Sequence, residues 1–271
     1  ELIKEGVLVP AEYRSFFIHD LELENMDIST GDFPIEQLSN AIIKSSMIEY
    51  AINIYLNQKA KMKDKPISAW FCPDILVAEE TKKQVSERNL KVELITAKTP
   101  IKERLEILKK HEDGDLECLI SVGVLSEGWD NPNCNMIVHL RPTLSKVFWG
   151  QSVGRGLRSS KGKEKCIVID VSSNFTTFGP VEKLKWKLMN HRKSYLEFKN
   201  RFNWVSKQQF VEDRDYTYLL CEGLAENGRR CSLVYKKKNL SDESCPICNA
   251  YASTDLYKDN KIEKPKNDNS L

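Results

Sequence analysis

Residues 117–158, ECLISVGVLSEGWDNPNCNMIVHLRPTLSKVFWGQSVGRGLR, decide how the chain is read. Two apolar β-branched runs, Leu119 to Val124 and Met136 to Leu140, are too short for globular helices and predict buried parallel strands. After the second, Thr143 is placed to cap a helix from Leu144 to about Leu157, carrying Gln151-Ser-Val-Gly154-Arg155-Gly-Leu-Arg158. A spacing of three sets Arg155 and Arg158 on one helical face. Two fixed guanidiniums suit a triphosphate, because each is a planar fork of donors that never loses its charge. The other reading of such a pair is a solvated surface. One strand earlier, Ser126-Glu-Gly128-Trp-Asp130-Asn-Pro132 is expected at the same carboxyl edge of the sheet, where open α/β sheets bind ligands.

Working outward, Pro34 or Asp32 opens a predicted helix to about Gln58, with Leu38, Ile42, Met47, Ala51, Ile54 and Tyr55 on a 3.6-residue stripe. Ile67 to Phe71 reads as a strand, followed by Cys72-Pro73 and by Asp74 as the cap of the next helix. Val92 to Ile95 is a strand, and Pro100 starts a helix through His111. Lys98, Lys102 and Arg104 crowd that helix start, where cations oppose the dipole unless an anion is present. A solvated helix start is the alternative. Cys166 to Val171 closes the sheet. The expected class is α/β: an open parallel sheet of five strands flanked by helices over 34–180. The basic and aromatic stretch 181–212 predicts helices packing behind it, and 254–271 a polar, disordered tail.

A strand ending in SEGWDNP followed by a helix bearing QxxGRxxR resembles motifs V and VI of superfamily 2 helicases and translocases, whose RecA-like second motor domain this stretch would form. The opening ELIKEGVLVP resembles the segment joining the two motor domains in RadD-like and phage DEAD/DEAH-type helicases, which makes 1–33 a connector; an ordinary N-terminal strand is the alternative. The resemblance implies roles. Arg158 is implied as arginine finger, Arg155 as its γ-phosphate partner, and Gln151, Gly154, Gly128 and Asp130 as groups at the nucleotide. Cys72 and Pro73 fall in motif IV, beside the nucleic-acid backbone, as do Lys98 and Arg104 one element later. Thr96-Ala97 stands where the family has a Gly-containing turn. Val122 replaces the motif V threonine, so Ser121 is the candidate for that contact.

No GxxxxGK[ST] loop occurs, and no acidic strand end of the DExD/H kind. Without the loop that cradles phosphates and the carboxylate that holds Mg²⁺, the chain cannot assemble an ATPase site alone. The resemblance therefore implies the trailing half of an ATP-dependent helicase, probing ATP·Mg²⁺ bound mainly by a first RecA-like domain and acting on DNA, or RNA, in repair or recombination. Two other functions fit the same residues: a non-catalytic zinc-bearing module that binds nucleic acid, and the translocating part of a restriction enzyme.

Four of eight cysteines lie after residue 220, as Cys221-x9-Cys231-x13-Cys245-Pro-Ile-Cys248. The final CPIC is a knuckle for a tetrahedral Zn²⁺, and a two-stranded loop must bring Cys221 beside Cys231. This predicts a small structural zinc domain over 213–253; disulfides are the competing reading. The other four cysteines read as small buried residues. With 41 Lys and Arg against 39 Asp and Glu, the net charge is +2, so any basic surface is local. No apolar run approaches about 18 residues, so no membrane span is expected. A start at Glu1 with no signal-peptide pattern points to a cytoplasmic setting, in a bacterial cell or phage-infected host.

Overall fold

A computed structural model describes residues 2–16, 18, 20–23, 26–125 and 129–184, together with the backbone of 218–221, 233–236 and 253–255. The chain divides into two units, Glu1–Lys207 and Gln208–Leu271.

The first unit holds six parallel strands: β1 Ala11–Phe16, β2 Ser68–Phe71, β3 Val92–Ile95, β4 Cys118–Ser121, β5 Met136–His139 and β6 Cys166–Asp170. They lie in the order β3-β4-β2-β5-β6-β1. Every residue of β2, β4, β5 and β6 is buried. Their continuous apolar runs are what a sheet covered on both faces demands. The helices are α1 Ile35–Lys44, α2 Met47–Lys61, α3 Ile75–Glu87, α4 Ile101–Glu112, α5 Lys146–Gly156 and the short α6 Asn174–Phe178.

Four expectations are corrected. The sheet has six strands, because β1 pairs in parallel with β6 from Ala11↔Cys166 to Ser15↔Asp170; residues 11–16 belong to the domain and not to a connector. The expected helix to Gln58 breaks at Ser45–Ser46. Ser45 is extended, and Asp20 accepts hydrogen bonds from both the amide (2.9 Å) and the hydroxyl (3.0 Å) of Ser46. Serine side chains offer the backbone partners outside a helix, and here they end one and start another. Thr143 does not cap α5: its hydroxyl donates to Asp32 (2.9 Å), and Ser145 accepts from Phe148 N instead (3.2 Å). Finally, β9, Ser253–Asp255, pairs with β7 and extends two residues into the expected disordered tail. The expected cap at Asp74 is present, accepting from Val77 N at 2.9 Å.

In the second unit β7, Tyr218–Cys221, pairs antiparallel with β8, Leu233–Lys236, and with β9. The helices expected over 181–212 lie, after a 3-10 turn at Val181–Lys183, outside the described residues.

α5 packs on the sheet at a fixed distance set by Gly156. A Cβ there would come to 2.5 Å from Cys166 Sγ and 2.6 Å from Ile137 Cγ1, both on fully buried strands. Gly156→Ala is therefore expected to lower stability by about 1–3 kcal/mol through overpacking, against a helix-propensity gain of about 1 kcal/mol. Denaturant unfolding measures it, and a variant at least as stable as the parent would contradict the close approach.

Candidate nucleotide-facing site

The helix α5 must return from the carboxyl end of β5 to the amino end of β6, because it links neighbouring parallel strands. Its last turn consequently sits at the amino edge of the sheet. There Val9 N donates to Leu157 O (2.7 Å), and Leu8 bridges Arg158 just ahead of β1. The segment after β4 makes the same crossing before β5 begins, which brings Trp129–Asn131 to that edge. The two motifs do meet, as expected, but at the amino edge and not the carboxyl edge. Arg158 also lies beyond the helix, one residue after its C-cap Leu157.

The meeting point is the main-chain carbonyl of Trp129. It accepts from Arg155 Nη1 at 2.8 Å and from Arg158 Nη1 at 3.4 Å. Arg158 is also paired with the carboxylate of Asp130, whose side chain is 62 % exposed against 34 % for the arginine. Two guanidiniums thus converge on one oxygen at the surface, and Arg158 is also paired with a largely solvated carboxylate, a pair of small net strength. Gln151 is exposed, and Gly154 and Arg155 are half-buried, while Ser152, Val153 and Gly156 face the sheet. A Cβ on Gly154 would meet nothing within 4 Å. Packing inside the described residues therefore gives no reason for glycine there; a bare backbone does let another group come close. Gly128 lies outside the described residues.

Two buried histidines hold the frame of this site. His111 Nε2 faces Ser68 O at 3.1 Å, and its Nδ1 faces Asn131 Nδ2 at 3.0 Å. A carbonyl only accepts and an amide nitrogen only donates, so the ring is the neutral Nε2–H tautomer. Burial pulls its pKa down to about 4. Asn131 in turn accepts from Asn133 N (3.0 Å), which fixes the turn behind Trp129 and Asp130. His139 stacks on Phe71 at 5.2 Å, and its Nε2 lies 2.7 Å from Ser152 Oγ, tying β5 to α5. Burial and the nearby Arg141 guanidinium pull its pKa down to about 3. At the other end of the helix Asp32 accepts from Thr143 Oγ1 and from Leu144 N (2.8 Å) and pairs with Arg141 at 3.5 Å. The guanidinium of Arg141 lies 4.4 Å over the Phe148 ring.

The residues expected against nucleic acid lie at the opposite, carboxyl edge. Lys98 is exposed there. Three of the others, Cys72, Pro73 and Ser121, are corrected as side-chain contacts. Cys72 and Pro73 are buried, with Cys72 Sγ against Thr81 and its thiol pushed up to about 12 by burial. Ser121 is fully buried, and its hydroxyl accepts from Leu125 N (3.2 Å), closing the strand end. Arg104 donates to the carbonyls of Thr96 (3.0 Å), Thr99 (3.3 Å) and Ala97 (3.5 Å). It organises the turn that replaces the family's glycine, and the crowding of cations at that helix start is in part explained within the fold.

Residues 37–160 match the helicase conserved C-terminal domain. The chain is 29 % identical over 170 residues to the yeast (Saccharomyces cerevisiae) protein named "Putative ATP-dependent helicase IRC3", covering 63 % of this chain and 24 % of that one. It is 26 % identical over 190 residues to a 51.5 kDa protein of a Lactococcus phage, covering 69 % and 40 %. The fold matches a fragment assigned as an HsdR subunit of a type I restriction enzyme from Vibrio vulnificus, with a TM-score of 0.51, 18 % identity, and coverage of 66 % of this chain and 35 % of that one. The class defined by fold and site is a RecA-like helicase lobe. The matched segment, residues 37–160, is that of a helicase conserved C-terminal domain. The chain spans between about a quarter and two fifths of the length of the relatives named here.

Proposed function

We propose that this domain supplies arginine fingers to an ATP·Mg²⁺ held mainly by a first RecA-like domain, and that the joined motor moves on DNA in a repair or recombination setting. The observation that carries the reading is the convergence of Arg155 and Arg158 on the Trp129 carbonyl, beside an open glycine at residue 154. A γ-phosphate oxygen is a stronger acceptor for a guanidinium than the Trp129 carbonyl that Arg155 and Arg158 share. Arg158 is the finger, Arg155 its partner, and Gln151, Gly128 and Asp130 line the nucleotide. Lys98 and the main-chain amides of the carboxyl edge serve the nucleic acid. With arginines at one edge and the nucleic-acid face at the other, both ligands fit one domain without overlap. The expected place of work is the cytoplasm of a bacterial or phage-infected cell.

The translocating part of a restriction enzyme is the second reading, favoured by the fold match. A chain joined to a first motor domain is expected to hydrolyse ATP in response to nucleic acid. If it also displaces strands, the helicase reading holds; translocation without displacement favours the second. Absence of nucleic-acid-stimulated hydrolysis contradicts both.

The C-terminal unit is proposed to hold one structural Zn²⁺. Leu220 pairs with Val234, so the chain leaves β7 at Cys221 and enters β8 at Leu233, two residues after Cys231. This antiparallel pairing supports the two-stranded loop that the x9 spacing requires; Cys231, Cys245 and Cys248 lie outside the described residues. Four thiolates give a closed site whose role is to fix the fold. Elemental analysis is expected to find about one zinc per chain, lost in Cys245→Ser. A metal-free protein that keeps its melting temperature would contradict this.

A further inference from the structure

We infer that Lys163 is a positioning residue for the arginine site, resting on the reading that Arg158 is the finger. Its ammonium donates to three main-chain carbonyls: Pro132 (2.9 Å), Cys134 (2.6 Å) and Arg158 (2.7 Å). Two of those carbonyls belong to the segment after β4 that presents Trp129 and Asp130. The third is the carbonyl of the finger residue itself. One side chain therefore joins the two strands of chain whose relative placement sets where both guanidiniums point. Its three donors match its three acceptors, and it has no ion pair with a described carboxylate.

The local sequence builds this clasp. Lys163 N donates to Ser160 O at 3.1 Å, and Gly162 sits at φ +84°, the left-handed third position of a tight turn. Glycine takes that conformation without strain, and the turn folds Lys163 back over the end of α5. Burial lowers the lysine's pKa, the neighbouring thiols acting against it. The charge is thus kept in a half-buried place where a neutral chain would leave three carbonyls without their donors, though nothing in the hydrophobic packing calls for it. Beyond the ammonium itself, no side chain described joins the carbonyl of Arg158 to the Pro132–Cys134 segment.

The test uses the chain joined to its first motor domain. Lys163→Met keeps the length of the stem and removes the donors. It is expected to lower kcat of nucleic-acid-stimulated ATP hydrolysis by about 10- to 100-fold through misplacement of the guanidiniums. KM for ATP and the Kd for nucleic acid should stay within about 2-fold, since ground-state binding is untouched. In an Arg158→Ala background the same substitution should lower kcat by less than about 2-fold, because the group it positions is gone. Lys163→Gln, which keeps two of the three donors on a shorter, neutral stem, should fall between parent and Met and serves the same cycle if the Met variant fails to fold. A kcat within about 2-fold of the parent, or a loss that multiplies fully with that of Arg158→Ala, overturns the inference while leaving the finger reading in place. If Arg158→Ala itself leaves turnover intact, the finger reading fails and this one with it.

Discussion

Arg158→Ala, made in a chain carrying both motor domains, is expected to lower nucleic-acid-stimulated ATP hydrolysis by about 10³- to 10⁵-fold, or roughly 4–7 kcal/mol of transition-state stabilisation. The magnitude follows from where charge develops. As the γ-phosphoryl group leaves, negative charge spreads over its oxygens, and a guanidinium brought to them from the second lobe is always charged. The fold should survive. In the resting domain Arg158 is held by a weak 3.4 Å bond to Trp129 O and by the exposed Asp130, and surface pairs of this kind contribute at most about 1 kcal/mol. Loss of activity with an unchanged unfolding midpoint is thus the expected pair of results. Arg155→Ala should act in the same direction, but it also removes the 2.8 Å bond that helps hold Trp129. Activity of Arg158→Ala within a few fold of the parent would dismiss it as the finger.

Acid should unfold the domain early. His111 and His139 are buried as neutral rings with pKa values near 4 and 3, against about 6.5 when exposed. Between those values the unfolded chain binds protons that the folded one refuses, so stability falls as pH drops below about 6.5. The loss is complete only below the folded values, and amounts to about 3 kcal/mol for His111 and about 5 kcal/mol for His139. Asp170 works the other way. Burial raises its carboxyl pKa, despite bonds from Ser172 and Phe175 N, so its protonation at low pH favours the folded state and offsets part of the loss. Urea midpoints measured from pH 7.5 to 4 should decline steeply below about pH 6.5, and midpoints flat to pH 4 would show that the rings accept protons in place. The His111 shift has a local consequence too: a protonated ring would aim a second donor at the Asn131 amide and loosen the turn that carries Trp129 and Asp130.

The central strands were legible because they are buried on both faces, and runs such as Leu119-Ile-Ser and Met136-Ile-Val-His leave little else for the chain to do. β1 was less so. Glu12 and Arg14 interrupt it, since its flanks are only half-buried, and its membership shows in the pairing with β6 and in the Ser15 hydroxyl facing Asp170. The break in the first helix was hidden by an apolar stripe that runs on through Ser45–Ser46; Asp20, far off in sequence, supplies the partner that makes it. The pairing of the two arginines with the segment after β4 followed from residue types and spacing, but its edge did not. Reading strand and helix as consecutive motifs omits the direction of the helix, which returns to the amino edge. Lys163, His111 and Asn131 gave little signal at all. A lysine in Ser-Lys-Gly-Lys reads as solvated turn, and only the three carbonyls gathered around its nitrogen show otherwise.

The central claim is that these guanidiniums answer the phosphate that another domain holds. The most direct measurement is the affinity of the two-domain protein for ADP and for ADP with aluminium fluoride, a mimic of the transferring phosphoryl group, in parent and Arg158→Ala. The parent should bind the mimic far more tightly than ADP alone, and the variant should lose that preference while keeping its affinity for ADP. An equal preference in both proteins would place Arg158 away from the γ-phosphate and contradict the account.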